Sequence, residues 1–460
     1  QKDSKPLVEN QFSAFLNTLA VTVLQHLNKH DHAAGTNFGA AVVGIIHMFT
    51  HANRELLGFD LTIDVNHGVP SIPKQPGPIF NFISTVQGAG SQIYCIFELL
   101  WASAGFIRRG TVSYHVRPEV TGPSKASEGL LDDYDYILKD NWVNQAQVDH
   151  EPNILKHIAG IEGVPVLVDL WAVQFEEKED MMLRYRPAGW IPPTLFVNHV
   201  HRRQLMHPVG SPITSFQSQK ELLFGLIHRL ETHEHLVTLK HVLHCDVSPN
   251  NLVFKQAPPG TLHTLYLIDF DYAIRLQPID GEVTNYPKGT GTLPFALLQV
   301  LQWAEGGRNN SGVTHTVADD LESFFYVFMW LCILYDGREG SSNRESLDNG
   351  FIVHAWGEGG MGPGGVTLVL NAKIRFLYSP GNSIIDTQFT PYFNNLKPLA
   401  KEWKQLVKLE DERREAKCST SMYTHKDVIA LLHKYADNLP DFGSLSCPVP
   451  LNNHHRNLLI

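Results

Sequence analysis

His244, Asp246 and Asn251 stand in Leu243-His244-Cys245-Asp246-Val247-Ser248-Pro249-Asn250-Asn251, a His-x-Asp followed by Asn five residues after the aspartate. Phosphoryl transfer asks a protein for positioning and charge more than for covalent chemistry. A carboxylate such as Asp246 can orient an incoming hydroxyl and accept its proton, while an amide oxygen such as that of Asn251 can ligate a metal ion. A polar turn capped by Asp and Asn would use the same letters, so a second cluster carries weight. The run Leu265-Tyr266-Leu267-Ile268-Asp269-Phe270-Asp271 reads as an apolar strand ending in carboxylates, with Asp269 eighteen residues after Asn251. The turn Pro258-Pro259-Gly260 makes a hairpin of the intervening chain. Asp269 then falls beside Asn251, where the two can share a Mg²⁺ that bridges the phosphates of ATP.

A triphosphate also needs a cation. Upstream, Tyr136-Ile137-Leu138-Lys139-Asp140 reads as a strand with Lys139 at its end, just before a helical stretch near 145–158. Lysines in such places are usually solvated, but the downstream pair makes Lys139 the natural contact for the α/β-phosphates. Its expected partner on the helix is Glu151. Pro152 disfavours helical geometry at Glu151 and would clash with the carbonyl of Val148 if the helix ran through. The expectation is therefore a helix starting at Pro152 with Glu151 near its cap, and Asp149 as the alternative partner.

Short strand-like runs fill the region before about residue 200: Ile93–Trp101, Thr111–Val116, Tyr134–Lys139 and Val164–Val173. After about 211 the chain turns helical. Ser218-Gln219-Lys220-Glu221 is a capping box ahead of Leu222, Leu223, Leu226, Ile227 and Leu230. Leu321 to Tyr335 is apolar nearly all round, which marks a buried central helix. Thr424-His425-Lys426-Asp427 caps a last amphipathic helix. The N-terminal part carries its own helical pattern (Phe12, Phe15, Leu16, Leu19, Val23, Leu27), then a Pro/Gly-punctuated, strand-like stretch.

The 460 residues are 43% hydrophobic and 18% charged, a globular composition too apolar for a disordered chain. The net charge of −10 argues against nucleic acid or an anionic membrane as main partner, and local cations must hold any phosphate ligand. Five scattered cysteines without a C-x-x-C pair suit a reducing, intracellular setting, cytoplasmic or nuclear. The longest apolar run, twelve residues from Phe324 to Tyr335, is too short for a membrane span. The chain opens on Gln1-Lys2-Asp3-Ser4, with neither Met nor a signal peptide, as a trimmed chain or part of a longer one would.

At this point the sequence resembles the fungal-type protein kinases, a branch of the eukaryotic protein kinase-like superfamily. The resemblance rests on Ile137–Trp142, His244–Asn251, Leu267–Asp271, Gly289-Thr290-Gly291-Thr292-Leu293-Pro294-Phe295 and Ala318–Val327, five motifs in family order over roughly residues 97–440. It implies an α+β, two-lobed fold with ATP and Mg²⁺ between the lobes. The expected divisions are an N-terminal extension (1–95), a β-rich N-lobe (96–206), a helical C-lobe (207–440) and a tail (441–460). Gly289–Phe295 resembles the segment that docks a protein substrate. Asp320 resembles the buried aspartate that anchors the catalytic loop, and Leu205–Gly210 the interlobe hinge. There the His207 carbonyl and Val209 amide, beside Met206, would face the adenine.

Several positions depart from the family pattern. Cys245 replaces the usual arginine, which removes the guanidinium that a phosphorylated activation segment would meet. Ser248 stands where many serine/threonine kinases carry lysine, Asp271 replaces a glycine, and Gln299 replaces the family's closing glutamate. The glycine-rich loop is thin, with Gly105 and Gly110 as its phosphate-facing candidates. Asp441-Phe442-Gly443 matches the usual metal-binding triplet literally, yet it follows the last helix with no strand before it. The expected function is ATP- and Mg²⁺-dependent phosphoryl transfer to a protein Ser or Thr hydroxyl, with residues 1–95 as a possible surface for a partner protein. A pseudokinase scaffold that binds nucleotide, or a small-molecule kinase of the aminoglycoside/choline type, are the alternatives.

Overall fold

The computed structural model describes residues 63–64, 84–88, 92–103, 110–119, 135–175, 177–185, 197–255, 263–276, 292–305, 315–338, 350–357, 363–418 and 423–440. The N-terminal helical pattern, Gly105, the Pro258–Gly260 turn, Gly289–Gly291 and Asp441–Gly443 lie outside them. The chain divides into two compact units, Gln1–Cys95 and Ile96–Ile460. In the first, β1 (Ile63–Asp64) pairs antiparallel with β2 (Ser84–Gln87), Ile63 opposite Val86.

The second unit opens with a sheet built from β3 (Ile93–Ala102), β4 (Val112–Pro118), β5 (Tyr136–Asn144), β6 (Val166–Ala172) and β9 (His199–His207) in the order β3-β4-β5-β9-β6. Two short strands, β7 (Gln174–Phe175) and β8 (Lys178–Glu179), form a hairpin between β6 and β9. β5 is central, with β4 and β9 both antiparallel to it, and its register sets Lys139 between Ser113 and Gln204. It runs five residues past Lys139, so the lysine sits mid-strand and not at a strand end. The next residue, Asp140, is buried in this sheet because Arg203 Nε (2.7 Å) and His201 Nε2 (2.5 Å) of β9 hold its two oxygens.

Helix α1 (His150–His157) follows β5. It begins two residues before Pro152, with Asp149 as N-cap, and this corrects the expected start. The first four N–H groups of a helix have no intrahelical acceptor, so a proline in the first turn costs nothing there.

The sheet is left at His207. β10 (Gly210–Pro212) already pairs with β12 (Leu252–Lys255) of the larger lobe, Gly210 opposite Lys255. The crossing between lobes is therefore residues 208–209.

Ser218 Oγ accepts from the Glu221 amide and starts α2 (Gln219–Lys240), and His241 in left-handed geometry ends it. After it come β11 (Val242–Leu243), paired with β14 (Ile274–Arg275), and the hairpin of β12 with β13 (Thr264–Leu267). Helices α3 (Leu298–Glu305), α4 (Val317–Leu334), α5 (Ile352–Gly357), α6 (Pro363–Tyr378), α7 (Ser383–Gln388), α8 (Lys397–Glu415) and α9 (His425–Ala436) complete the lobe. α4 is its axis: Phe324, Phe325 and Phe328 are fully buried, and Phe325 and Phe328 lie against Trp403 of α8. Each such ring adds about 1.5–3 kcal/mol through burial. Among the described residues no helix is long and apolar enough to cross a membrane.

One loop of the small lobe is fastened to the large one. Gly163 (φ +82°), between α1 and β6, accepts hydrogen bonds on its carbonyl from Arg229 Nη1 of α2 (2.6 Å) and from the Leu267 amide (2.9 Å). A Cβ there would stand 1.5 Å from Arg229 Nη1.

Candidate active site

The catalytic loop hangs from α4. Asp320, in the first turn of that helix, accepts from the backbone amides of His244 (2.9 Å) and Cys245 (3.0 Å), and also from His233 Nε2 (2.8 Å) and His315 Nε2 (3.0 Å). Burial disfavours its charge, but the imidazoles of His315 and His233 outweigh that and hold its carboxyl well below the usual range. Fastened this way, the loop turns through Cys245 at φ +64°. His244 is buried, and its Nε2 lies 2.9 Å from the Ile268 carbonyl. Burial depresses its pKa and favours the neutral ring, which ties the loop to the strand end at Asp269.

Asp246 is 9% exposed. The backbone amide and hydroxyl of Thr292 both donate to its Oδ1, at 2.8 and 3.0 Å. Burial and the nearby Asp269 charge push the Asp246 carboxyl up to about 6, against the pull of the Thr292 and Asn251 hydrogen bonds. Asn251 Nδ2 donates to the Asp246 carbonyl (2.8 Å) and to its Oδ2 (3.3 Å). The amide nitrogen is thereby committed, and the oxygen is the atom left for a cation. The β12–β13 hairpin then aligns Leu252 with Leu267, and the Ile268 amide donates to the Asn251 carbonyl at 2.9 Å. Asp269 follows at φ +64°, a left-handed backbone rare outside glycine.

Lys139 Nζ meets three carboxylates. Both oxygens of Glu151 lie at 2.9 and 2.8 Å, Asp269 Oδ1 at 2.8 Å and Asp271 Oδ2 at 3.3 Å. Glu151, and not Asp149, is thus the helix residue that reaches the lysine. Burial works against the charge on Lys139, but Asp269, Asp271 and Glu151 together raise its pKa well above normal. One ammonium cannot balance them all: burial and the neighbouring Asp271 push Glu151 up to about 8 in spite of Lys139. Oxygens of Glu151, Asp269 and Asp271 lie within 4.8 Å of one another, close enough to hold one metal ion together.

The remaining expected residues are more peripheral. Gly110 (φ +57°) stands two residues before β4, whose register runs along Lys139 and Asp140. Met206 is buried at the end of β9, His207 is exposed and Val209 half-buried at the crossing.

Sequence reasoning did not find several partners. Gln204 Nε2 donates to Glu151 Oε2 (2.9 Å) from the strand beside Lys139. Thr292 was read as part of a docking segment, not as a ligand of Asp246. Gln299 stands where the family's closing glutamate would be, and the segment is held by other side chains. Ser323 Oγ donates to the Phe295 carbonyl (3.0 Å), Lys373 Nζ to that of Ala296, and the Leu298 amide donates to Glu322 (3.3 Å). Only the β9–β5 register could have pointed to Gln204, and no local pattern marks Lys373.

A buried lysine shared between a helix glutamate and a strand-end aspartate, above a His-x-Asp loop hung from a helix, makes this two-lobed α+β fold that of a protein kinase. A model of the fungal protein kinase family matches residues 26–332, more than half of the chain, and the chain belongs to that family. The match starts well ahead of residue 97, where the recognisable motifs begin, so the family region takes in much of the N-terminal unit. No curated protein sequence matches the chain. Among solved structures it is similar to vaccinia related kinase 3, at 12% identity and a TM-score of 0.42, over 79% of this chain and 92% of that one.

Proposed function

We propose that this chain is an ATP- and Mg²⁺-dependent kinase that transfers a phosphoryl group to a Ser or Thr hydroxyl of a protein substrate. The observation that carries the reading is the convergence on Lys139 of Glu151 from the small lobe and Asp269 from the large one, with Asp246 and Asn251 alongside. The same residues fit a metal-bound nucleotide. Three carboxylates around one ammonium leave an excess of negative charge that a hard divalent cation would neutralise. Asn251 and Asp269 are the ligands proposed for Mg²⁺, and Lys139 the contact for the phosphates. Ser248, two residues past the base, has a buried hydroxyl with no partner among the described residues, a donor suited to a phosphate oxygen. When bound, Mg²⁺-ATP supplies the phosphoryl group and the charge neutralisation its transfer requires.

The chain's own part is positional. Asp246 orients the substrate hydroxyl and accepts its proton at the carboxylate, and Thr292 fixes which way that carboxylate faces. Gln204 and Lys139 fix Glu151. Met206, His207 and Val209 line the crossing between lobes where the adenine is proposed to lie, and Gly110 opens the strand that covers the phosphates. The protein-substrate reading rests on the segment from Thr292 to Leu298, which ends on Asp246 and is held by three α4 and α6 side chains. Its test is radiolabelled phosphate transfer from Mg²⁺-ATP to an arrayed peptide set and, in parallel, to aminoglycosides and choline. Labelled Ser or Thr peptides support the reading. Labelled small molecules overturn the substrate class, and thermal stabilisation by Mg²⁺-ATP without any transfer overturns catalysis in favour of a nucleotide-binding scaffold.

A further inference from the structure

A second cluster of ligating side chains shares Asp320 with the anchor of the catalytic loop, and none of its side chains touches a reacting group in the chemistry above. Cys245, His315 and Asp320 each bring one donor atom within 4.8 Å of the other two. His315 Nε2 points at Asp320 Oδ1 over 3.0 Å, and the Cys245 thiol is hydrogen-bonded to His315. Thiol, imidazole and carboxylate form a donor set that suits a borderline-soft ion; a thiolate is a poor ligand for Mg²⁺. In a tetrahedral zinc site, bond lengths of about 2.0–2.3 Å keep the donor atoms roughly 3.3–3.7 Å apart. These three atoms reach that spacing through shifts of about an ångström. A cavity of about 10 Å³ beside the cluster is lined by Cys245 and His315 together with Asp246 and Thr292, close to the space one water needs.

We infer that Cys245, His315 and Asp320 form a Zn²⁺ site under the catalytic loop, and that its occupation inhibits the enzyme. On binding, the thiol proton and the His315 Nε2 proton leave to solvent, Zn²⁺ takes their place on Sγ and Nε2, and His315 keeps its Nδ1 proton. Burial, with the neighbouring Asp320 and Asp319 charges, pushes the free thiol up to about 11, so a metal must displace its proton to bind. Asp320 Oδ1 is the atom that now receives the Cys245 amide at 3.0 Å. Diverting that oxygen to a metal loosens one tether of the loop, next to the residue that positions the substrate hydroxyl. The site exists because cysteine stands where the family pattern has arginine; it is a property of this chain's own residues.

The test uses the full chain and Co²⁺ as a spectroscopic stand-in for Zn²⁺. A thiolate-to-cobalt charge-transfer band in the near ultraviolet is expected, abolished by a single equivalent of Zn²⁺, absent in Cys245→Ser, and appearing at no less than about tenfold higher Co²⁺ in His315→Gln. This readout needs no kinase activity, so it stands or falls separately from the proposed function. A band that persists in Cys245→Ser places the metal on another cysteine and overturns the site, as does the lack of any band. With Mg²⁺-ATP in excess, Zn²⁺ is expected to depress the wild-type rate several-fold, reversibly on chelation, and to leave Cys245→Ser near its own metal-free rate. Equal inhibition of both proteins overturns the inhibitory role.

Discussion

Two buried charge clusters, both within the kinase core, are built on opposite principles. Around Asp320 a single carboxylate receives two backbone amides and two imidazoles, and its ionised form is strongly favoured. Around Lys139 a single ammonium faces Glu151, Asp269 and Asp271, and the surplus shows in Glu151, pushed up to about 8. A balanced cluster needs no further cation to hold its loop, and a metal that binds there must displace bonds already made. An unbalanced one stays unfavourable until a further cation arrives, which is what a metal-nucleotide site requires. Asp246 belongs to the second kind: close to Asp269 and buried, it sits at about 6.

Breaking the unbalanced side has the largest expected effect on chemistry. Asp246→Asn keeps the shape and removes the proton acceptor, so the phosphorylation rate is expected to fall about 10²- to 10⁴-fold. The thermal shift with Mg²⁺-ATP is expected to remain. A variant that turns over like the wild type removes Asp246 from its role. On the balanced side, Asp320→Ala leaves two amides and two imidazoles around a void. An expected loss of about 3–5 kcal/mol, read by urea unfolding, matches the cost of removing one partner from a buried ionic cluster. If stability changes by less than about 1 kcal/mol, the contrast between the clusters is wrong.

A smaller effect separates positioning from chemistry. Lys373→Met removes the donor to the Ala296 carbonyl, a bond worth about 1.5–3 kcal/mol while the amine is charged, which burial limits by pulling its pKa down to about 7. The expected reading is a KM for peptide raised about tenfold or more with KM for ATP unchanged; equal changes in both count against a substrate-segment role. The mildest test is pH. A carboxyl raised to about 6 is protonated below that value and cannot accept a proton, so kcat/KM for peptide is expected to fall about tenfold per unit on the acid side. Were the group unperturbed, the acid limb would lie near the ordinary aspartate value of about 4.

What was legible from sequence follows the range of the forces involved. Asp246, Asn251 and Asp269 could be read because a hairpin converts a sequence spacing into a spatial one. The capped helices starting after Ser218 and Thr424 could be read because capping is local. The place of Lys139 within β5 was misjudged, since cross-strand pairing with β9 prolongs the strand and nothing within Tyr136–Asp140 records that partner. Pro152 was a true ambiguity: its ring forbids a helix interior yet fits a first turn, and only the position of the cap decides. Gln204, Thr292 and Lys373 reach their partners over 46 to 77 residues of chain, where no periodic pattern extends. Cys245 was seen as a departure from pattern, but its neighbours His315 and Asp320 come together only in three dimensions.

Gly163 has a mechanical consequence. Its carbonyl is gripped by Arg229 from one side and by the Leu267 amide from the other, and Leu267 lies two residues ahead of Asp269. The loop of the small lobe is thus tied to the strand that leads to Asp269. A Cβ added there would stand 1.5 Å from Arg229 Nη1 on a backbone at φ +82°, so a side chain at this turn must displace the guanidinium that grips the Gly163 carbonyl. The bare backbone at one turn is therefore what lets Arg229 and Leu267 meet on a single carbonyl.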